Sequence, residues 1–184
     1  MTEPAAASGV AEPIEPVTGP IKAGQIEAGQ IEAVTAHQTR EAGQWLGERL
    51  KRGDLVILSG ELGAGKTTFT QGLAEGLGVR GPITSPTFVI ARVHPSVVDG
   101  PPLVHVDAYR LGSLAELDDL DLDASVEESV TVVEWGEGKA EVLSRDRIEV
   151  RIERALADDA AADAGADTDP RTITITVHGA ARTL

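Results

Sequence analysis

The order of apolar and polar residues predicts alternating helices and strands through the middle of the 184-residue chain. An apolar stripe with helical spacing at 35–50 begins with a capping-box spacing and stops at Gly53. Residues 54–59 are apolar at successive positions, as in a strand buried on both faces of a parallel sheet. A second helix is predicted from about Lys66 to Gly78. This order is typical of an α/β domain.

Further strands are predicted on both sides of a turn region at 94–102. Segments 147–152 and 172–177 alternate with period two, which predicts edge strands with one wet face. The apolar runs that predict the other strands lie at 87–93, 103–107 and 129–135, and short helical pieces are expected at 113–120 and before Ser144. The pattern indicates a three-layer fold with a mostly parallel central sheet and antiparallel edge strands.

The composition divides the chain into an extension and one domain. Residues 1–31 are rich in Ala, Glu, Pro and Gly and carry too few large apolar groups to offset the entropy of ordering, so we expect a disordered N-terminal extension. Residues 32–184 form the predicted domain. Within it, 155–170 is an Ala/Asp-rich loop insert.

A phosphate-binding loop is predicted at Gly60–Thr68, which matches G-x-x-x-x-G-K-[ST] between a strand and a helix. Its glycines allow the backbone to approach an anion closely, and the helix that follows adds the positive end of its dipole. Lys66 reaches the β and γ oxygens, and the Thr67 hydroxyl can bind Mg²⁺. The alternative is a glycine turn that matches by accident. The motif in this setting predicts a P-loop NTPase-like fold.

Two strands end in a carboxylate, at Asp107 and Glu134. Because parallel strands bring their carboxyl ends to the edge that carries the P-loop, both acids could face Mg²⁺. Two structural alternatives remain open. Asp107 could start the turn into the next helix, and Glu134 could pair with a surface arginine.

Ser85-Pro86-Thr87 follows the P-loop helix, where NTPases often place a loop that senses the γ-phosphate, although the same residues also initiate ordinary turns. The chain contains no asparagine, so the Asn-Lys-x-Asp reader of guanine is impossible and ATP is favoured by elimination. The four histidines have no metal-ligand spacing, and we interpret them as structural or surface residues: His37, His94, His105 and His178.

Charge and cysteine content exclude several classes of protein. The net charge of −14 argues against strong direct contact with nucleic acid, which requires a basic face. With no cysteine, disulfides and thiolate metal sites are impossible, which fits a reducing cytoplasm. No apolar run approaches the ~18 residues that a membrane helix needs. We therefore expect a cytoplasmic protein.

Taken together, the chain resembles the bacterial TsaE (YjeE) family, the ATPase component of tRNA threonylcarbamoyladenosine biosynthesis. The resemblance spans about 35–154 and resumes at Arg171, and it is carried by Gly60–Phe69, Ser85–Phe88, His105–Leu111 and Val133–Trp135. It implies that ATP and Mg²⁺ are the cofactors. It implies catalytic roles for Lys66, Asp107 and Glu134, with Thr67 and Glu134 as metal ligands. The nucleotide-binding residues that it implies are Gly63, Ala64, Gly65, Lys66, Thr67, Thr68, Thr87, Trp135 and Arg171.

The resemblance also implies partners. TsaD-like and TsaB-like subunits would act with this chain, which would bind and slowly hydrolyse ATP without performing the transfer itself. Contact with tRNA would be indirect, through the complex, as the acidic composition also indicates. A small-molecule P-loop kinase is one alternative, although no arginine-rich lid is visible and 113–128 is acidic. A nucleotide-gated assembly module with incidental turnover is the other alternative.

Overall fold

The computed structural model describes residues 29–84, 91–109, 127–154 and 169–179. Among these residues, no helix combines the length and apolar character that crossing a membrane requires. In chain order, the elements of the described part are β1 (Gly29–Ala33), α1 (Ala36–Gly47), β2 (Leu55–Ser59), α2 (Lys66–Leu77), β3 (Ala91–His94), β4 (Leu103–Asp107), β5 (Val130–Glu134), a single 3-10 turn (Ala140–Val142), β6 (Arg147–Arg154) and β7 (Arg171–His178).

The strands of the described part form one sheet in the order β1-β7-β6-β2-β5-β4-β3. Its centre is parallel, because β2 pairs with β5 and β6, and β4 pairs with β5, in the same direction. Its edges are antiparallel, where β3 pairs with β4 and β7 lies between β6 and β1. The predicted α/β fold with a mostly parallel centre and antiparallel edges is confirmed.

The central strands bury both faces, so their residues alternate between two apolar clusters. Val56 and Leu58 of β2 pack in the larger cluster, with α1 and α2. Leu55 and Ile57 pack in the smaller one on the opposite face. Ala140 of the 3-10 turn belongs to that second cluster. The acidic helical piece predicted at 113–120 lies outside the described residues.

Two predicted boundaries need correction. Composition assigns residues 29–31 to the disordered extension, but they belong to β1, in which Ile31 pairs with Ile173 of β7. The short alternation Gln-Ile-Glu-Ala is enough for an edge strand once β7 supplies hydrogen-bond partners. The strand predicted at 87–93 extends one residue further, through His94. Residues 87–90 of this predicted strand lie outside the described part, as do residues 1–28 of the predicted extension.

Helix α1 begins at a hydrogen-bonded cap, as the capping-box spacing predicts. The Thr35 hydroxyl accepts a hydrogen bond of 3.2 Å from the Gln38 amide. The Gln38 side chain accepts one of 2.7 Å from the Val34 amide, one residue before the cap. The two side chains thus fix the chain direction between β1 and α1.

Replacing Thr35 with alanine is expected to lower the free energy of unfolding by about 1 kcal/mol, because an amide of the first turn loses its acceptor. Urea denaturation would measure the change. Thr35→Ser keeps the hydroxyl oxygen and should stay close to the parent protein. Equal losses in the two variants would contradict a capping role.

Candidate active site

The P-loop connects the C-terminal end of β2 to the first turn of α2. Gly63 and Gly65 have φ of +79° and +107°, which disfavours residues with a side chain. Gly60 is required for close packing as well, since a Cβ there would lie 2.3 Å from the Ile152 carbonyl oxygen. Gly65 is the N-cap of α2 and makes no side-chain capping bond, so the first amides of the helix have no side-chain acceptor from their own cap. The loop therefore has the shape that binding a phosphate requires.

Lys66 is 5% exposed and lies over the loop that precedes it. Its Nζ donates hydrogen bonds of 2.8 Å to the carbonyl oxygens of Gly60 and Glu61. The same atom is 3.7 Å from the centre of the Trp135 ring, in cation–π contact. Burial lowers the Lys66 pKa, while the charges of Glu134 and Asp107 act in the opposite direction. The ammonium group is thus poorly hydrated, which strengthens its attraction for an anion.

Glu134 ends β5 beneath the P-loop helix and is 2% exposed. Its carboxylate lies 3.3–3.4 Å from the Thr67 hydroxyl. Oε1 also accepts a hydrogen bond of 2.9 Å from His105 Nε2, and it lies 3.3 Å from Thr70 Oγ1, whose shorter hydrogen bond of 3.0 Å goes to the Lys66 carbonyl oxygen. The partners of this carboxylate are therefore side chains of α2 and β4, of which Thr70 and His105 are buried, and the structure does not show the alternative of a surface arginine partner.

Asp107 ends β4 directly beside Glu134, its register partner on β5. It is 8% exposed. Its Oδ1 accepts a hydrogen bond of 2.9 Å from the Tyr109 amide, which is the turn-forming role that the sequence left open as the alternative. Asp107 can have a role in the site as well, because its charge acts on the ammonium group of Lys66 and raises the Lys66 pKa.

Trp135 follows Glu134 with φ of +61°, a conformation that is uncommon for a residue with a side chain. Its amide donates to the Leu58 carbonyl oxygen at 2.9 Å, which fixes the turn against β2. The Tyr109 ring lies 5.0 Å from the Trp135 ring, centre to centre. The two aromatic rings line a cleft of about 760 Å³ beside Gly60, together with Lys139 and other charged residues.

Arg171 reaches the P-loop from the start of β7. Its Nε donates a hydrogen bond of 2.6 Å to the Ala64 carbonyl oxygen, and Asp169 accepts further hydrogen bonds from the same guanidinium. A Cβ on Gly65 would lie 3.2 Å from Arg171 Nε and 3.5 Å from the Thr39 methyl group. The residue predicted to border the nucleotide therefore contacts the loop backbone.

The structure brings most of the predicted site residues together around one loop. Thr68 lies in the first turn of α2, next to Thr67. Thr87 lies outside the described residues, as does Arg110, which with Arg171 is a candidate for an arginine finger in this sequence. The predicted contact of the 85–88 loop with the γ-phosphate therefore stays a prediction.

The sequence also matches a known family model. The model described as "Threonylcarbamoyl adenosine biosynthesis protein TsaE" matches residues 33–161, which is more than half of the chain. The chain therefore belongs to the TsaE family. Arg171 lies beyond the matched range.

Relatives of this TsaE-family chain come from several bacteria. The "tRNA threonylcarbamoyladenosine biosynthesis protein TsaE" of Streptomyces coelicolor is 70% identical over 122 residues, which cover 66% of this chain and 82% of the relative. The protein of that name from Mycobacterium tuberculosis H37Rv is 54% identical over 123 residues, or 63% of this chain and 73% of the relative. The crystal structure of YdiB from Bacillus subtilis matches with a TM-score of 0.61 and 33% identity, covering 83% of this chain and 88% of that one.

The donor atoms of the site suit magnesium and a triphosphate. Thr67 and Glu134 offer hard oxygen atoms next to each other, of the kind that Mg²⁺ prefers. In the described part of the chain, no group of three or more acidic, histidine or cysteine side chains could hold a metal alone. Mg²⁺ commonly binds through one or two protein ligands plus substrate phosphates, so this sparse set fits it.

Sequence reasoning missed two side chains at the centre of this site. His105 was interpreted as structural or surface because the histidines lack metal-ligand spacing, and Thr70 was not considered. In the structure, both side chains contact the Glu134 carboxylate. A signal for His105 was available in the strand period. Residues two apart on a strand share a face, so His105 had to lie on the same face as Asp107.

Proposed function

We propose that this chain is the ATP-binding and slowly hydrolysing subunit required for threonylcarbamoyl modification of the adenosine next to the anticodon in tRNA. It would act with TsaD-like and TsaB-like subunits. Membership of the TsaE family supports the pathway. The observation that carries the ATPase role is the contact between the Thr67 hydroxyl of the P-loop and the strand-end carboxylate of Glu134.

The side chains have separate tasks in this proposal. Lys66 exchanges its carbonyl partners for the β and γ oxygens of ATP. Thr67 and Glu134 hold Mg²⁺, which neutralises charge on those oxygens when it is bound. We assign to Asp107 the orientation of the attacking water, because it is the neighbouring acid at the same sheet edge. Trp135 covers Lys66 and shields it from solvent.

Slow turnover follows from the position of the cationic groups. An arginine finger contributes about 10³–10⁵ in rate where it is present. Arg171, the described candidate, is bonded to the Ala64 carbonyl oxygen and to Asp169. The net charge of −14 supports an indirect route to tRNA, through partner subunits.

The isolated chain is expected to bind Mg–ATP but to hydrolyse it well below the upper kinase range of about 100 per second. Adding the TsaB–TsaD pair should raise turnover, since partners can complete an unfinished site. Calorimetry with Mg–ATP and phosphate release with and without the pair would measure both.

Three results would count against the proposal: no heat of binding with Mg–ATP, fast turnover without partners, or phosphoryl transfer to a metabolite that outpaces hydrolysis. The last result would establish the kinase alternative. If a slowly hydrolysed ATP analogue supported repeated rounds of tRNA modification, turnover would be incidental and the assembly module would replace the ATPase.

A further inference from the structure

His105 and Glu134 form a buried polar pair between the sheet and the P-loop helix. Their side chains are 0% and 2% exposed, and His105 Nε2 lies 2.9 Å from Glu134 Oε1. Leu103, two residues before His105 on β4, packs in the apolar cluster of this face. Burying a histidine among apolar residues costs free energy unless its polar atoms form hydrogen bonds, and the bond to Glu134 is one that offsets this cost.

The hydrogen bonds distinguish the two oxygens of the carboxylate. Oε1 accepts a hydrogen bond from Nε2 of His105 and is in contact with the Thr70 hydroxyl, whose shorter hydrogen bond goes to the Lys66 carbonyl oxygen. The Thr67 hydroxyl lies at nearly equal distances from the two oxygens, 3.4 Å from Oε1 and 3.3 Å from Oε2. Among the described contacts, His105 therefore holds Oε1 alone, and Oε2 contacts only the Thr67 hydroxyl of the P-loop.

The histidine tautomer follows from the same contacts. A carboxylate accepts hydrogen bonds, so Nε2 carries the hydrogen in this pair. Nδ1 is buried, and within the described residues no hydrogen-bond partner reaches it. Within the described residues, Glu134 is therefore the hydrogen-bond partner of the His105 ring.

We propose that His105 is a positioning residue that orients Glu134 toward the magnesium of bound Mg–ATP. This inference rests on the proposed function, in which Glu134 and Thr67 hold that metal. By binding Oε1, His105 keeps the carboxylate from rotating and leaves Oε2 beside Thr67. Groups that orient metal ligands in this way typically change metal affinity 10–100-fold when they are lost.

Magnesium dependence separates this role from a purely structural one. We expect His105→Leu to raise the Mg²⁺ concentration for half-maximal ATP binding by about 10-fold or more. The affinity for ATP in EDTA should stay unchanged, because Lys66 and the loop amides are not altered. Calorimetric titrations of ATP at several Mg²⁺ concentrations and in EDTA measure both quantities without any need for turnover.

Two amide variants and one packing control complete the experiment. His105→Gln places an amide donor near the position of Nε2 and should restore most of the magnesium response, whereas the shorter His105→Asn should not.

Thr131→Val is matched in burial, since Thr131 lies on β5, is 0% exposed and has no hydrogen bond from its hydroxyl within the described residues. It should leave magnesium dependence unchanged.

Equal losses of affinity with and without Mg²⁺ in His105→Leu would overturn the inference, as would identical behaviour of the Gln and Asn variants. If the leucine variant does not fold, the amide pair decides, because the two differ only in reach. Failure of the proposed function gives a different result, in which the parent chain itself does not bind Mg–ATP.

Discussion

Replacing Lys66 with alanine is expected to weaken Mg–ATP binding by about 100-fold. In the proposed complex, the ammonium group makes two hydrogen bonds to phosphate oxygens, and a bond to a charged group contributes about 1.5–3 kcal/mol. Lys66 gives up two bonds to carbonyl oxygens on binding, so the net gain comes from the attraction between opposite charges in a poorly hydrated site. A net gain of about 3 kcal/mol corresponds to about two decades in the dissociation constant. Calorimetry at saturating Mg²⁺ would measure the loss, and ATP turnover should fall with it.

Two variants make this result specific to the position. Lys51→Ala removes the same charge from an exposed residue before β2, and it should leave binding unchanged. Lys66→Arg keeps the charge but replaces a compact ammonium with a planar fork, so it should not restore binding. ATP affinity within a factor of two of the parent in Lys66→Ala would contradict the central assignment of the site. A cooperative unfolding transition in the variant would show that the fold is intact.

The sequence predicted the parts of this site that depend on local rules. The P-loop could be located because a glycine pattern between a strand and a helix allows few other structures. Asp107 and Glu134 could be placed side by side from their positions at strand ends, since parallel strands end at one edge, and they are register partners. Their separate hydrogen bonds could not be predicted, because these depend on which side chains of α2 face the strand ends.

Contacts between distant segments were harder to predict. Arg171 was expected to border the nucleotide. Its hydrogen bond to the Ala64 carbonyl oxygen could not be predicted, because the two residues are 107 positions apart in the sequence. The start of β1 was missed for the same physical reason, because a five-residue edge strand gains its stability from β7 rather than from its own sequence. Local propensity carries no information about such a distant partner.

The packing of the two helices was the largest omission. Gly43 and Gly47 on α1 face Gly72 and Gly76 on α2, and each pair is four residues apart. The Cβ that each glycine lacks would lie 1.8–2.3 Å from a backbone carbonyl oxygen of the other helix. The helices therefore touch backbone to backbone. In the sequence, these glycines lower helix propensity, and their spacing of four residues does not say which backbone each pair contacts.

This close contact predicts that Gly72→Ala destabilises the fold by more than about 3 kcal/mol, at or beyond the upper end of typical overpacking costs. Helix propensity alone predicts the opposite sign, a gain of about 1 kcal/mol. The steric effect should prevail, since the new Cβ would lie 1.8 Å from the Arg40 carbonyl oxygen and backbone cannot yield as a flexible side chain does. Thermal unfolding should show a decrease of about 10 °C in the midpoint.

Glu75→Ala is the control on the same helix. It removes the half-exposed ion pair of Glu75 with Arg40 without adding volume to the interface, and such surface pairs contribute little to stability. Gly72→Ala should also weaken Mg–ATP binding, because moving α1 displaces Thr39 from its place beside Gly65. An unchanged or higher midpoint in Gly72→Ala would show that the helices can separate at little cost, and the coupling of α1 to the P-loop would then have to be abandoned.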